Sequence, residues 1–360
     1  MNRNAGIELL RIIAMGMVLM LHVLGQGGIL PAEGMGTSTF HLVWALELSS
    51  LCAVNCFALI SGYVGISSKY RFSRGIDLWL QVLFYSIGST CFFLIICPQL
   101  VTKDIIVKSV FPVVTGQYWF ITAYFCLFFL IPFLNKIINS SKPKDLYILC
   151  AILIMFFSVT PTLSGIDVFK AQWGYSTLWL VAIYLIGASI KKLSINVNKW
   201  MALLAYFLCV FTCYAIKMSM IYYSPDIEGI FNPISHSISY SAPLTLGASI
   251  SLLLFFKAVN IKIELLQRII IIVGKASLAV YLAHGSTVFF RKILKNHFTY
   301  LADAELFEVL VTTFSCFISI YILSILIELL RTKLFSLLKI RKITSKIDKY
   351  IYISNEKQVE

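Results

Sequence analysis

Residues 7–22 read IELLRIIAMGMVLMLH, and with the residues that follow to position 26 they form a largely apolar run long enough to cross a bilayer as a helix. One crossing takes about 20 predominantly apolar residues. This run nevertheless carries Glu8, Arg11 and His22, three ionisable side chains in a segment that should be apolar. A cleaved signal sequence has an uninterrupted apolar centre, so the segment is expected to be retained.

The rest of the chain repeats the apolar theme. Of its 360 residues, 59% are apolar and 13% charged, and the mean hydropathy is +0.86. A soluble domain has about 25% charged residues, which excludes that class. Apolar runs near 8–26, 43–66, 77–97, 118–138, 146–161, 175–190, 200–221, 238–256, 269–290 and 306–330 predict an all-α polytopic membrane protein. The expected architecture is a bundle of about ten transmembrane helices over 1–335, followed by a basic cytoplasmic tail, 336–360. The stretch 104–115 (DIIVKSVFPVVT) reads as a re-entrant or interfacial piece.

The net charge of +13 raises the question of nucleic acid, but the basic residues punctuate apolar runs and gather on no soluble face, so no nucleic-acid partner is expected. Their distribution instead sets orientation. With the N-terminus inside, most of the 30 lysines and arginines fall on the cytoplasmic side. An even number of crossings then places both termini there, and the segment 222–237, which has no Lys or Arg, falls outside. The tail 331–350 (RTKLFSLLKIRKITSKIDKY) reads as a stop-transfer flank lying on anionic lipid, where each basic residue contributes ~1 kcal/mol.

All nine cysteines lie within or beside apolar runs and behave as small hydrophobes, so neither a disulfide framework nor a metal site is expected. The pairs Cys52/Cys56 and Cys209/Cys213 are spaced to share a helix face, but neither has a companion His or second pair at zinc spacing.

An ionisable group inside a span costs ~2.5–3.5 kcal/mol on insertion scales, so such groups tend to be paired or functional. The eleven residues from Arg11 to His22 bring the two side chains to within about 20° around the helix axis, separated by a rise of about 16 Å. Glu8 precedes Arg11 by three residues, a helical pairing distance. This puts an anion-recognising guanidinium near one mouth of the membrane and a titratable imidazole deeper on the same face. A substrate bridging them is elongated, negative at one end and reactive at the other. The plainer reading is that Arg11 anchors the helix at the interface and His22 hydrogen-bonds a neighbouring helix.

The same residues resemble the Arg-x10-His signature of acyltransferase family 3, membrane proteins that O-acylate bacterial surface glycans. Further stretches are similar to that family in chain order: AVNCFALISGYVG (53–65), the basic loop KYRFSRGIDLW (69–79), QYWFITAYFCLFFLIPFLN (117–135) and GKASLAVYLAHG (274–285). One departure is Arg71-Phe-Ser-Arg74, where many members carry an adjacent Arg pair. The resemblance implies a multi-pass enzyme of the bacterial cytoplasmic membrane. It takes an acyl group, most simply acetyl, from cytoplasmic acetyl-CoA as co-substrate and delivers it to a hydroxyl of a surface or lipid-linked glycan, without a metal.

On this reading His22 is a general base or a transient acyl carrier, with Arg11 and Glu8 completing the catalytic set. Arg71, Arg74 and Lys69 hold the donor's phosphates, because a planar guanidinium can bind phosphate through two parallel hydrogen bonds; otherwise they are a plain positive-inside loop. Trp119 and Tyr124 line the substrate path or belong to an interfacial aromatic belt. Tyr281 and His284 line the acceptor side or form a structural pair. Ser61 lies near the thioester or, with Gly62, serves close helix packing. His41, His236 and His297 fall at outer loops or helix ends as solvated polar residues. The rival functions are a glycan flippase or transporter, a glycan polymerase and a non-catalytic membrane sensor. Internal repeats and paired broken helices, frequent in transporters, are not visible.

Overall fold

The structure, a computed structural model, describes residues 4–30, 37–223, 238–301 and 304–356. The outer-segment expectation for 222–237 therefore falls largely outside the described residues, as does His236. The chain is 80% helical, with no strand among the described residues. Helix α1 (Ala5–Leu21) runs on as a π turn over His22–Gln26. There follow α2 (Ser38–Ser50), α3 (Ala53–Gly65), α4 (Ser73–Ile96), α5 (Lys103–Val110), α6 (Trp119–Ser140) and α7 (Pro143–Ser164). The remainder are α8 (Thr177–Lys192), α9 (Lys199–Tyr223), α10 (Pro243–Lys257), α11 (Glu264–His284), α12 (Leu306–Leu337) and α13 (Ile340–Glu356).

Each of the ten apolar runs is helical. Eight helical stretches among the described residues are long and apolar enough to cross a membrane, which makes this an all-α polytopic membrane protein. The runs read as 175–190 and 238–256 are shorter, α8 having 16 residues and α10 having 15. The run read as 43–66 begins earlier, where the Thr37 side chain accepts a hydrogen bond from the Phe40 N–H at 3.1 Å and so caps α2. The run read as 146–161 extends to 22 residues, with Pro143 in its first turn and Asp145 accepting from the Lys142 N–H at 3.3 Å. The last run does not stop at 330. Arg331 folds back onto Glu328 three residues earlier, and the helix continues to Leu337. The 104–115 stretch contains α5, which leaves Ile106, Val107, Val110 and Phe111 exposed.

The chain divides into two compact units. The first comprises Met1–Ser68, Pro132–Ser277 and Leu294–Phe317. Its centre is the crossing of α3 and α8, where glycines face backbone: a β-carbon on Gly62 would lie 2.0 Å from the Tyr184 carbonyl oxygen, and one on Gly187 2.3 Å from that of Leu59. Small residues let membrane helices approach this closely. Several buried polar groups here are paired. Asn55 donates to the Tyr240 carbonyl at 2.7 Å and accepts from the Trp179 indole at 3.0 Å. The Lys192 ammonium donates to the carbonyls of Ile138, Asn139 and Ser141 at the end of α6, where unsatisfied carbonyls favour a cation.

The second unit comprises Lys69–Ile131, Leu278–Ile293 and Ile318–Glu360. Val82, Tyr85, Tyr118, Ile121, Ala279 and Leu282 form its buried core. Gly75 passes Phe128 so closely that a β-carbon would lie 2.7 Å from the ring.

Candidate functional site

The site residues expected from the sequence fall into two groups, one in each unit. Glu8, Arg11, His22 and Ser61 belong to the first; Lys69, Arg71, Arg74, Trp119, Tyr124, Tyr281 and His284 belong to the second.

In the first unit Asn4 opens α1 by accepting from the Ile7 N–H at 3.2 Å, and Glu8 follows in the first turn. Glu8 is only 4% exposed, and its Oε1 accepts from the Arg11 Nη1 at 2.9 Å. The carboxylate therefore fixes the direction of the guanidinium within the helix surface. The spacing to His22 runs through regular α-helix, because the π turn begins at His22 itself. The two side chains thus keep the common face that the spacing implies. The π turn is closed by the Gly27 N–H on the His22 carbonyl at 2.8 Å. It is pinned at its far end, where Asn296 and Phe298 N–H groups donate to the Gln26 and Gly27 carbonyls at 2.9 and 2.8 Å. Single π turns within α-helices are frequent at functional sites.

Sequence reading passed over Glu47, on α2. Its Oε2 is buried without a hydrogen-bond partner among the described residues, and its Oε1 would lie 3.2 Å from a β-carbon on Gly25, in the π turn. An acidic residue inside the run 43–66 was the available signal. Ser61 donates its hydroxyl to the Phe57 carbonyl at 2.8 Å, one turn back in α3, which spends its proton inside the helix. Members of both cysteine pairs meet: Cys52, Cys209 and Cys213 line one small cavity with Thr245. Among the described residues no group of three or more His, Cys, Asp or Glu is arranged to hold a metal.

In the second unit Lys69, Arg71 and Arg74 are exposed around the start of α4. Among the described residues neither Arg71 nor Arg74 lies within ion-pair distance of a carboxylate. Tyr124 stacks on Phe120 with ring centroids 5.9 Å apart, and Phe120 meets Tyr281 edge-on at 6.2 Å. Tyr281 in turn contacts His284 at 6.1 Å and Tyr118 at 5.9 Å, so three of the expected residues share one aromatic nest. Trp119 meets Phe120 edge-on at 5.8 Å beside it. His284 is 1% exposed, and its Nδ1–H donates to the Val280 carbonyl. A carbonyl only accepts, so in the neutral ring the lone pair is on Nε2. Tyr118, which sequence reading missed, donates to the Leu282 carbonyl at 3.1 Å.

A second omission is a partly buried ion pair. Arg331 forms a two-pronged bridge to Glu328, Nε to Oε2 at 2.8 Å and Nη2 to Oε1 at 2.6 Å, with both side chains 13% exposed. Tyr85 donates to Glu328 at 2.9 Å, and Arg331 lies over the Phe335 ring at 4.7 Å. The signal was the Glu-x-x-Arg spacing, obscured because Arg331 was counted with the tail.

These features define a polytopic membrane protein with ionisable and aromatic side chains assembled on its helices, the usual mark of a membrane-embedded functional site. Residues 4–329 match the acyltransferase domain of acyltransferase family 3, and the chain belongs to that family. It is therefore an acyl-transfer enzyme. No curated protein matches it, and no solved structure does.

Proposed function

We propose that this enzyme moves an acyl group, acetyl in the simplest case, from cytoplasmic acyl-CoA to a hydroxyl of a surface or lipid-linked glycan at a bacterial cytoplasmic membrane, with both termini inside. The observation that carries the proposal is the pairing on α1: Arg11 is held by buried Glu8, and His22 lies on the same face at the start of a pinned π turn. Coenzyme A is long, anionic at its nucleotide end and reactive at its thioester, which suits the Arg11 guanidinium near one mouth of α1 and the His22 imidazole deeper along it. Arg71, Arg74 and Lys69 supply further phosphate contacts. Trp119, Tyr124, Tyr281 and His284 wall the substrate path.

In the direct route His22 takes the proton of the glycan hydroxyl as its oxygen attacks the thioester carbonyl. The C–S bond breaks, and the departing coenzyme A thiolate recovers a proton from the imidazolium. In the two-stage route the imidazole nitrogen is itself acylated, with release of coenzyme A, and the hydroxyl then takes the acyl group.

Purified protein in lipid nanodiscs, given labelled acetyl-CoA and glycan, should transfer label that alkali removes. His22→Ala should lower turnover by at least ~10². Full activity in that variant overturns the proposal. Arg71→Lys and Arg74→Lys should recover only part of the donor affinity lost in the alanine variants, because a lysine cannot offer the two-pronged geometry.

A further inference from the structure

The last two helices are joined by a tight turn. Lys339 sits there with φ of +53°, a left-handed conformation that a non-glycine residue rarely adopts, and its N–H donates to the Ser336 carbonyl at 3.1 Å. The turn aims α13 back along the beginning of α4. Among the described residues two polar contacts hold it there, spaced one helical turn apart on both partners. Thr344 donates its hydroxyl to Asp77 at 2.8 Å. Asp348 accepts the Ser73 N–H at 2.9 Å on Oδ1 and the Ser73 hydroxyl at 2.6 Å on Oδ2. Residues 344 and 348 thus meet 77 and 73 in antiparallel order. Thr344 and Ser73 are buried at this seam, whereas Arg341, Lys342, Ile343, Ser345 and Lys346 are exposed.

The geometry around Asp348 is that of an anion bound at a helix N-terminus: a backbone N–H and a hydroxyl converge on two oxygens, and exposed Arg71 and Arg74 flank them in sequence. Burial alone would raise the Asp348 carboxyl. The Ser73 hydrogen bonds and the nearby Arg71 charge outweigh it and hold the group below the usual carboxylate value. A carboxylate in this position partly neutralises the very charges that would attract a phosphate. A phosphate brings more charge and more acceptor oxygens than this carboxylate, so it can compete for the same donors.

We propose that helix α13 is an autoinhibitory strap: Asp348 occupies, as an internal carboxylate, the anion position at the start of α4, and a donor phosphate binds there only when the strap lifts. This rests on the reading of Arg71 and Arg74 as the donor's phosphate contacts. If Asp348 merely positioned those arginines, removing it would weaken binding; as a competitor, its removal strengthens binding.

The test is coenzyme A titration, by calorimetry, of the full chain in nanodiscs. Asp348→Asn leaves an oxygen for Ser73 but removes the charge, and should tighten coenzyme A binding about tenfold, the equivalent of ~1.4 kcal/mol. Thr344→Val, which loosens the other contact, should tighten it by a smaller factor. Coenzyme A added to the unaltered protein should raise hydrogen exchange across 340–348. Unchanged or weaker binding by Asp348→Asn overturns the strap. An Arg71→Ala/Arg74→Ala double variant separates the two failures. If it loses coenzyme A while Asp348→Asn has no effect, the strap alone falls; if it binds coenzyme A normally, the donor reading falls and the strap with it.

Discussion

Gly274 on α11 lies so close to Glu8 on α1 that a β-carbon there would sit 2.7 Å from the Glu8 Oε2 and 3.0 Å from its Cβ. The absence of a side chain on one helix is what leaves room for the carboxylate that orients Arg11. Gly274→Ala must therefore displace Glu8. Overpacking of this kind costs about 1–3 kcal/mol. We expect Gly274→Ala to lower acyl transfer at least about tenfold, the kinetic equivalent of ~1.4 kcal/mol, at matched protein levels in isolated membranes. Transfer at the unaltered rate would show that the Glu8–Arg11 geometry is not needed.

The Glu328–Arg331 bridge is largely screened from solvent and should behave much as a buried pair does. Removing one partner strands the other charge, at a cost of about 3–5 kcal/mol. Glu328→Ala and Arg331→Ala should each lower the unfolding temperature sharply in detergent, and Glu328→Gln/Arg331→Met, which removes both charges, should recover much of the loss. Additive effects in the double variant would mean the two side chains do not act together.

Docking of the tail helix should depend on pH in one direction only. The Asp348 carboxyl is held below its ordinary value when docked, so its contribution is fully present above that ordinary value and is lost as pH falls through the lower, docked one. Among charged groups near it, Arg71 favours the ionised form, and Asp77 one turn away on α4 accepts from Thr344. Protease protection of 340–348 should be flat from neutral pH into the mildly acidic range and fall only under strong acid. Loss of protection near neutrality would contradict this.

Sidedness can be read with single cysteines in a background lacking the nine native ones. On the proposed topology Ser68→Cys labels only after permeabilisation, whereas Ile166→Cys, in an exposed position beyond α7, labels from outside. Labelling of both from the same side would remove the transmembrane route from donor to acceptor.

The membrane-crossing helices were legible because each is a run of apolar residues, and burial in lipid demands that the backbone satisfy itself within each run; α13, rich in Lys, Arg, Ser and Thr, carries no such signal. The ends were less legible. Arg331 looks like a stop in sequence, yet Glu328 neutralises it and α12 continues. Within the candidate site, the Glu8–Arg11 pair followed from helical spacing and is present at 2.9 Å. The meeting of Tyr124 and Tyr281 with Phe120 joins segments more than a hundred residues apart, a relation no local periodicity carries. The same is true of Asp348 and Ser73. Lys192 looks in sequence like any other cytoplasmic cation, yet it ties the carbonyls that end α6.

The π turn at His22–Gln26 has a consequence for how the chain tolerates change in length. A π turn closes its ring with one residue more than an α turn. Seen this way, α1 carries a spare residue just after the imidazole, wound between a regular helix on one side and a segment stitched to Asn296 and Phe298 on the other. Deleting one residue between 23 and 26 would let the helix rewind without moving His22 relative to Arg11, and the slack would be taken up at the stitches. The same deletion between 12 and 21 would turn the imidazole about 100° away from the guanidinium. The helix thus has one stretch that sets the phase of its reactive groups and an adjoining stretch that absorbs error.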